Sequence, residues 1–322
     1  MVEESRRYLG GVALFKPYSK VRVTPRPEVP AIPRLGLTSD IIGFRRCPRQ
    51  YGFFVEKGFV PAHTVQIFYG TIIHEVLDRA HHHFMGFENP STKGKIPNDR
   101  DIVNYFNEVE HALKAHGIRS INERLRKQAR EILIRFNEVE GPHLYPLVVD
   151  TEHRIRGARK EYLMEGVVDV LVGSETDPEN HPENPSVWEI WDYKGQKRPE
   201  EGSRALQSYE YQMRVYAALY KIRNGCLPKA AKLYFLNELR DDSITSRPSS
   251  AILKVSLSAK EIDKALNEFD KTAEQIMKAK ENDSWIAPNA LHVEEIKNTC
   301  AICDLRWSCP AWASKPFSMQ FP

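Results

Sequence analysis

The sequence has little of what marks an exported or membrane-bound chain. Its first residues, MVEESRRYLGG, lack the apolar core of a secretory leader, and no apolar run reaches bilayer-spanning length. We therefore expect a cytoplasmic protein with no membrane partner. Only five cysteines occur in 322 residues, which argues against a disulfide framework. Neither sign of charge dominates: 46 Lys and Arg against 43 Asp and Glu leave a net +3, too little to establish a polyanionic partner but compatible with one gripped locally. There is no GxxxxGK[ST] phosphate loop, so the chain does not carry a nucleotide-driven motor, and there is no internal repeat or low-complexity tract. "HEVLD" has Asp78 where a zinc-protease HExxH helix needs its second histidine, which argues against that chemistry.

What is present is an ordinary globular composition, 41% hydrophobic and 28% charged, enough for one large core or two modest ones. Residues 16–36 hold five prolines, so 1–37 reads as an extended arm and 38–322 as the folded domain. "TVQIFYGTIIHEVLDRAHHHF" has helical spacing with His74 in its middle. Residues 98–140 predict a helical insertion of two amphipathic helices broken at Gly117. The second carries Arg119, Arg124, Arg126, Lys127 and Arg130, either a solvated face or a phosphate contact. Three runs, "LVVDTEHRIRG", "EYLMEGVVDVLVG" and "SVWEIWDYKG", predict a strand meander. The helix "RALQSYEYQMRVYAALYKI", the strands "AAKLYFLNEL" and "AILKVSL", and a helix capped by Ser258 follow.

Chemistry concentrates in the meander. Asp169 interrupts an apolar strand, where a buried carboxylate needs a cation or hydrogen-bond donors. In "WEIWDYKG" a strand's period of two sets Ile190, Asp192 and Lys194 on one face and Glu189, Trp191 and Tyr193 on the other. Asp192 and Lys194 are then either an exposed ion pair of little consequence or, if Asp169 converges on them, a divalent-metal and phosphate site. Cys300, Cys303 and Cys309 crowd one end of the chain while Cys47 lies far upstream, a pattern of four ligands with Cys226 to spare. Cys226 itself reads as a packing residue.

"GVVDVL", then "DYK", then "QMRVY" on the next helix, preceded by "GTIIH" with Gly70 and His74, together resemble the PD-(D/E)XK nuclease motif set in its RecB-like branch. The resemblance implies an α/β, restriction-endonuclease-like mixed β-sheet flanked by helices. It implies that His74, Asp169 and Asp192 hold Mg2+ or Mn2+, with the main-chain carbonyl of Tyr193 as a further ligand, and that Lys194 positions water or stabilises charge on the phosphate. Gln212 and Tyr216, at i and i+4 on one helix face, would bind substrate or brace the lysine; "QSYEY" repeats the spacing with Gln207 and Tyr211, but the later pair has the apolar continuation "AALY". Glu152 resembles a family glutamate that supports metal or substrate, and an exposed strand carboxylate is the equal alternative.

The cysteines extend the resemblance to members such as the AddB nucleases and CRISPR-associated RecB-like nucleases, in which one cysteine precedes the histidine helix and three close the domain. Cys47 with Cys300, Cys303 and Cys309 fits that layout, implying a four-iron four-sulfur cluster as a C-terminal clasp, with zinc the less favoured occupant. The function implied is a metal-dependent deoxyribonuclease acting on single-stranded DNA or DNA ends, by exonuclease cutting, in repair, recombination or defence. The alternative is a noncatalytic DNA-binding or assembly subunit of a helicase or CRISPR integrase complex.

Overall fold

The computed structural model describes residues 32–59, 65–120, 122–173, 184–241, 243–288, 299–301 and 303–313. The chain divides into Met1–Pro33 and Arg34–Pro322, and the sheet and its helices belong to the second unit. Most of the proline-rich arm, and most of the Asn/Pro loop between the second and third strands of the meander, lie outside the described residues.

A six-stranded mixed sheet carries the fold. Its strands are β1 (Arg34–Gly36), β2 (Val148–Arg159), β3 (Tyr162–Val172), β4 (Glu189–Lys194), β5 (Ala230–Phe235) and β6 (Ile252–Val255). β2, β3 and β4 form the expected antiparallel meander, β5 lies parallel to β4, and β6 returns antiparallel. The long helices are α1 (Val65–Met85), α2 (Asp99–Ala115), α3 (Glu123–Val139), α4 (Arg204–Asn224) and α5 (Ala259–Glu281). α4 is the crossover that lets β5 run parallel to β4. Three residues preceding Thr38 join the sheet: β1 pairs parallel with Leu163–Glu165.

The sheet separates two apolar layers. Ile190, Met164 and Val168 pack with α4, α5 and the early segment bearing Phe44 and Tyr51. Trp191, Tyr193 and Val170 pack with α1, α2 and α3. Local signals explain the helix ends. Asn98 and Asp101 form a capping box at the start of α2, Ser258 caps α5, and Gly117 with φ of 77° follows the end of α2. The strand expected over 230–239 stops at Phe235, because Leu236–Leu239, with Asn237 and Glu238 between two buried leucines, close into a 3-10 turn. At the hairpin joining β2 and β3, Arg159 donates to both oxygens of Asp270 at 2.7 and 2.8 Å, pinning the turn to α5.

Candidate active site

The site begins where β3 departs from regular pairing. Along the β4 side of β3, Glu165 pairs with Gly36 and Val170 with Trp191, so the edge from Gly166 to Asp169 faces no strand among the described residues. The faces also reverse there: Met164 and Val168 pack beside α4, whereas Val170 and Val172 pack beside α1. Strict alternation would keep even-numbered side chains on one face. On β2, between Thr151 opposite Val170 and His153 opposite Val168, Glu152 has φ of 46°, in the left-handed region. A non-glycine residue there costs about 1 kcal/mol or more and persists only where its surroundings hold it.

Asp169 fills the opened edge with its side chain. Its Oδ2 accepts from the backbone N–H of Tyr193 at 2.7 Å and lies 3.3 Å from His74 Nδ1. Ligand atoms of His74, Glu152 and Asp169 all fall within 4.8 Å of one another, the one such trio among the described residues. Burial alone would lift the Asp169 carboxyl, but the His74 imidazole, Lys194 and the Tyr193 N–H hold it below the usual range. Burial would lower His74, yet the charge and hydrogen bond of Asp169, with Asp192 adding, raise it to about 9. Desolvation and the Asp169 charge push Glu152 up to about 7.

β4 presents the second half. Its alternation follows the sequence reading: Trp191 and Tyr193 enter the α1 layer and Ile190 the α4 layer, but both faces are covered and Asp192 is only 2% exposed. The Lys194 ammonium lies 2.5 Å from Asp192 Oδ2, donates to Gln212 Oε1 at 3.0 Å and sits 4.5 Å from the Tyr209 ring centroid. Gln212 Nε2 donates to Asp192 Oδ1 at 2.9 Å and to the Tyr216 hydroxyl at 3.0 Å. Burial, offset by Lys194 and reinforced by Asp169, leaves the Asp192 carboxyl at about 6. Lys194 is raised despite its burial, because Asp192 and Asp169 outweigh the loss of hydration.

The structure therefore brings His74, Asp169, Asp192, Lys194, Gln212, Tyr216 and Glu152 together. It differs from the expected arrangement in two details. The converging donor trio contains Glu152, while Asp192 takes Lys194 and Gln212 as partners; and Tyr193 reaches the site through its N–H to Asp169. Of the two QxxxY pairs, the later one faces the carboxylates, whereas Gln207 is exposed and donates to the Gly202 carbonyl. Tyr209, absent from the sequence reading, was within reach of it, three residues before Gln212 on the same helical face. His81 is buried with Nε2 3.0 Å from the Tyr193 hydroxyl, and His83 bonds Tyr105 at 2.7 Å, both packing roles.

Away from this site, Cys47 starts the short helix Pro48–Tyr51, its sulfur accepting from Gln50 N at 3.5 Å. Burial raises its thiol pKa, and Cys303 and Cys309 are near enough to add to the rise. Arg49 donates to the Ser308 carbonyl at 3.5 Å, and Cys303 N to the Cys300 carbonyl at 3.1 Å. Cys226 packs against the α4 layer.

No curated protein matches the sequence. Among solved structures, the chain is similar to the "Putative exonuclease" of Eubacterium rectale, at 12% identity and TM-score 0.49, covering 94% of this chain and 97% of that one. It is also similar to SSO0001, at 14% identity and TM-score 0.32, covering 96% and 97%. Likeness at this level carries no argument about function. The sequence profile of one superfamily, by contrast, matches residues 38–310, a span that takes in α1, β2, β3, β4 and α4 and so every residue of the site. On that match, the chain belongs to the PD-(D/E)XK nuclease superfamily.

Proposed function

We propose that this nuclease is a metal-dependent deoxyribonuclease that hydrolyses phosphodiester bonds in single-stranded DNA or at DNA ends, cutting as an exonuclease. The observation that carries the reading is the Asp192–Lys194 pair set beside the His74–Glu152–Asp169 trio. The trio suits a divalent cation in chemistry and spacing, and Asp192, whose Oδ2 faces the Lys194 ammonium at 2.5 Å, stands beside it. His74, Asp169 and Glu152, with Asp192 beside them, would hold Mg2+ or Mn2+, which supplies Lewis acidity and lowers the pKa of water.

The protein's own residues do the rest. Tyr193 N–H fixes the Asp169 rotamer from the backbone. Gln212 spans the pair, accepting from Lys194 and donating to Asp192, so the ammonium is held in one place before substrate arrives. An ammonium so placed meets the charge that develops on the phosphate without rearranging. Its burial, at 14% side-chain exposure, strengthens that interaction.

The test is digestion of end-labelled and circular DNA, single-stranded and duplex, with Mg2+ or Mn2+. Lys194→Ala and Asp192→Ala are expected to lose on the order of a thousandfold in kcat while remaining folded. Cutting by these variants at the parent rate overturns the mechanism; cutting of circular DNA as fast as linear overturns the exonuclease reading.

Cys47, Cys300, Cys303 and Cys309 form the second part of the proposal. Four thiolates suit an iron-sulfur cluster, and the placement of Cys47 beside Cys303 and Cys309 suits a shared group. The protein purified anaerobically is expected to be brown; a colourless protein with stoichiometric zinc overturns the assignment.

A further inference from the structure

Tyr69, on α1 immediately before Gly70, stands between the site and a second feature. On one side, a Cβ on Gly195, the residue after Lys194, would lie 3.1 Å from the Tyr69 ring. On the other, the Tyr69 hydroxyl donates to Asn237 Oδ1 at 2.8 Å, which ties it to the Leu236–Leu239 turn, and it lies near Gln128 of α3. Between α3 and that turn lies a cleft of about 520 Å3 lined by Arg124, Lys127, Arg135 and Arg240, against which stand Glu123 and Glu131. Both glutamates have partners of their own: Glu123 takes Arg126 at 3.2 Å and Glu131 takes Lys127 at 3.5 Å. Arg124 and Arg240, both exposed, carry no ion pair among the described residues.

Gly70 is the second, independent observation. It sits inside α1 one turn before His74, and a Cβ built there meets nothing within 4 Å among the described residues. Glycine inside a helix is unfavourable relative to alanine, and here no neighbour among the described residues requires the missing side chain. The open surface next to His74 suits close approach by something other than this chain.

We propose that a single DNA strand, its cut phosphate at the site, runs across Gly70 and past Tyr69 into this cleft, where Arg124 and Arg240 meet its phosphates. The inference rests on the nuclease reading and extends it from the scissile phosphate to the strand beyond. The cleft has the volume of a small-ligand pocket, suited to one or two nucleotides of a single strand. Its cations match the strand in charge, whereas Arg126, on the same helix, is held by Glu110 at 2.6 and 3.0 Å and braces α3 against α2.

Binding of a labelled oligothymidine of about twenty nucleotides, measured by fluorescence anisotropy without divalent metal, reads the cleft apart from cutting. In Arg124→Gln/Arg240→Gln, affinity should fall at least about tenfold, and the slope of log Kd against log salt should drop by about 1.4, two phosphate contacts at about 0.7 each. Gly70→Ala should melt no lower than the parent yet bind at least about threefold more weakly, as a crowded backbone approach requires. A double variant with the parent's affinity and slope overturns the inference, as does Gly70→Ala binding at full strength. A parent that binds the strand through Arg124 and Arg240, as the double variant reads it, but never cuts it supports the cleft and overturns the nuclease reading. A parent that cuts, beside a double variant that binds unchanged, overturns the cleft alone.

Discussion

Lys194 keeps its charge in a buried position because three partners define its place: the Asp192 carboxylate, the Gln212 carbonyl and the Tyr209 ring face. Removing one partner from a buried network leaves a polar group unsatisfied, at about 1–3 kcal/mol. Gln212→Ala should therefore lower the unfolding free energy by about that amount and lower kcat by about ten- to a hundredfold, with little change in KM; denaturant titration and steady-state kinetics check both. The donor trio has its own signature. At pH 7 His74, raised to about 9, is protonated, and Glu152, at about 7, is half so. Both must lose protons to bind a cation, so affinity for Mn2+ should rise with pH from about 6 to about 9 and binding at pH 7 should release more than one proton. Calorimetry in two buffers of different ionisation enthalpy reads that number directly; no proton release would remove His74 and Glu152 from the ligand set. Glu152→Asn separates backbone from ligand, since asparagine tolerates a left-handed φ. Stability should stay within about 0.5 kcal/mol while Mn2+ affinity falls about tenfold or more.

At the scale of elements, the close approach of α4 to β3 sets where Gln212 can reach. Gly166 makes that approach: a Cβ there would lie 2.7 Å from Tyr216 Cε1 and 3.0 Å from Cδ1. Gly166→Ala should cost about 1–3 kcal/mol by overpacking and, by displacing the Tyr216 hydroxyl from Gln212, reduce activity as well. Gly166→Ala/Tyr216→Leu should recover the melting temperature but not the rate, a split that thermal melts and kinetics resolve. The same elements show what a linear pattern carries. Period-two alternation placed Asp192 and Lys194 on the face opposite Trp191 and Tyr193, and helical spacing placed Gln212 with Tyr216, because both are local consequences of backbone geometry. The face reversal at Asp169 and the left-handed Glu152 arise where β1, β2 and β4 meet β3, contacts between residues more than a hundred positions apart in the case of β1. No local period reports such a junction. β1 was hidden for a similar reason: three residues beside Pro33 become a strand only because β3 offers them an edge.

On the scale of the whole molecule, the two ends of the domain come together on α5. Arg45, two residues before Cys47, pairs with Glu268 at 2.9 Å and lies 4.2 Å over the Tyr211 ring; Phe44 and Tyr51 pack edge-on or tilted against Trp285, just beyond α5. The Arg49 contact to Ser308 continues the same junction to the last cysteine. Phe44, Tyr51 and Trp285 make this junction buried and apolar, while its ion pairs, Arg45–Glu268, Lys57–Asp283 and Lys280–Glu56, are largely solvent-facing and worth about 1 kcal/mol or less each. A group shared by Cys47 and the Cys300–Cys309 segment would tie that segment to this packed junction. It would act on stability rather than on the reaction, since Lys194 and Asp192 are fixed by α4 and the sheet. Cys47→Ser is accordingly expected to lose its iron and to melt lower by on the order of 10 °C. Hydrogen exchange should quicken in residues 37–56 and 299–313, while β3, β4 and α4 keep the parent's protection. Activity per folded molecule at low temperature should stay within about twofold of the parent, because the loss is one of adhesion between segments. Equal melting temperatures with and without iron would show that the junction holds by packing alone, and that the cysteines serve something other than closure of the fold.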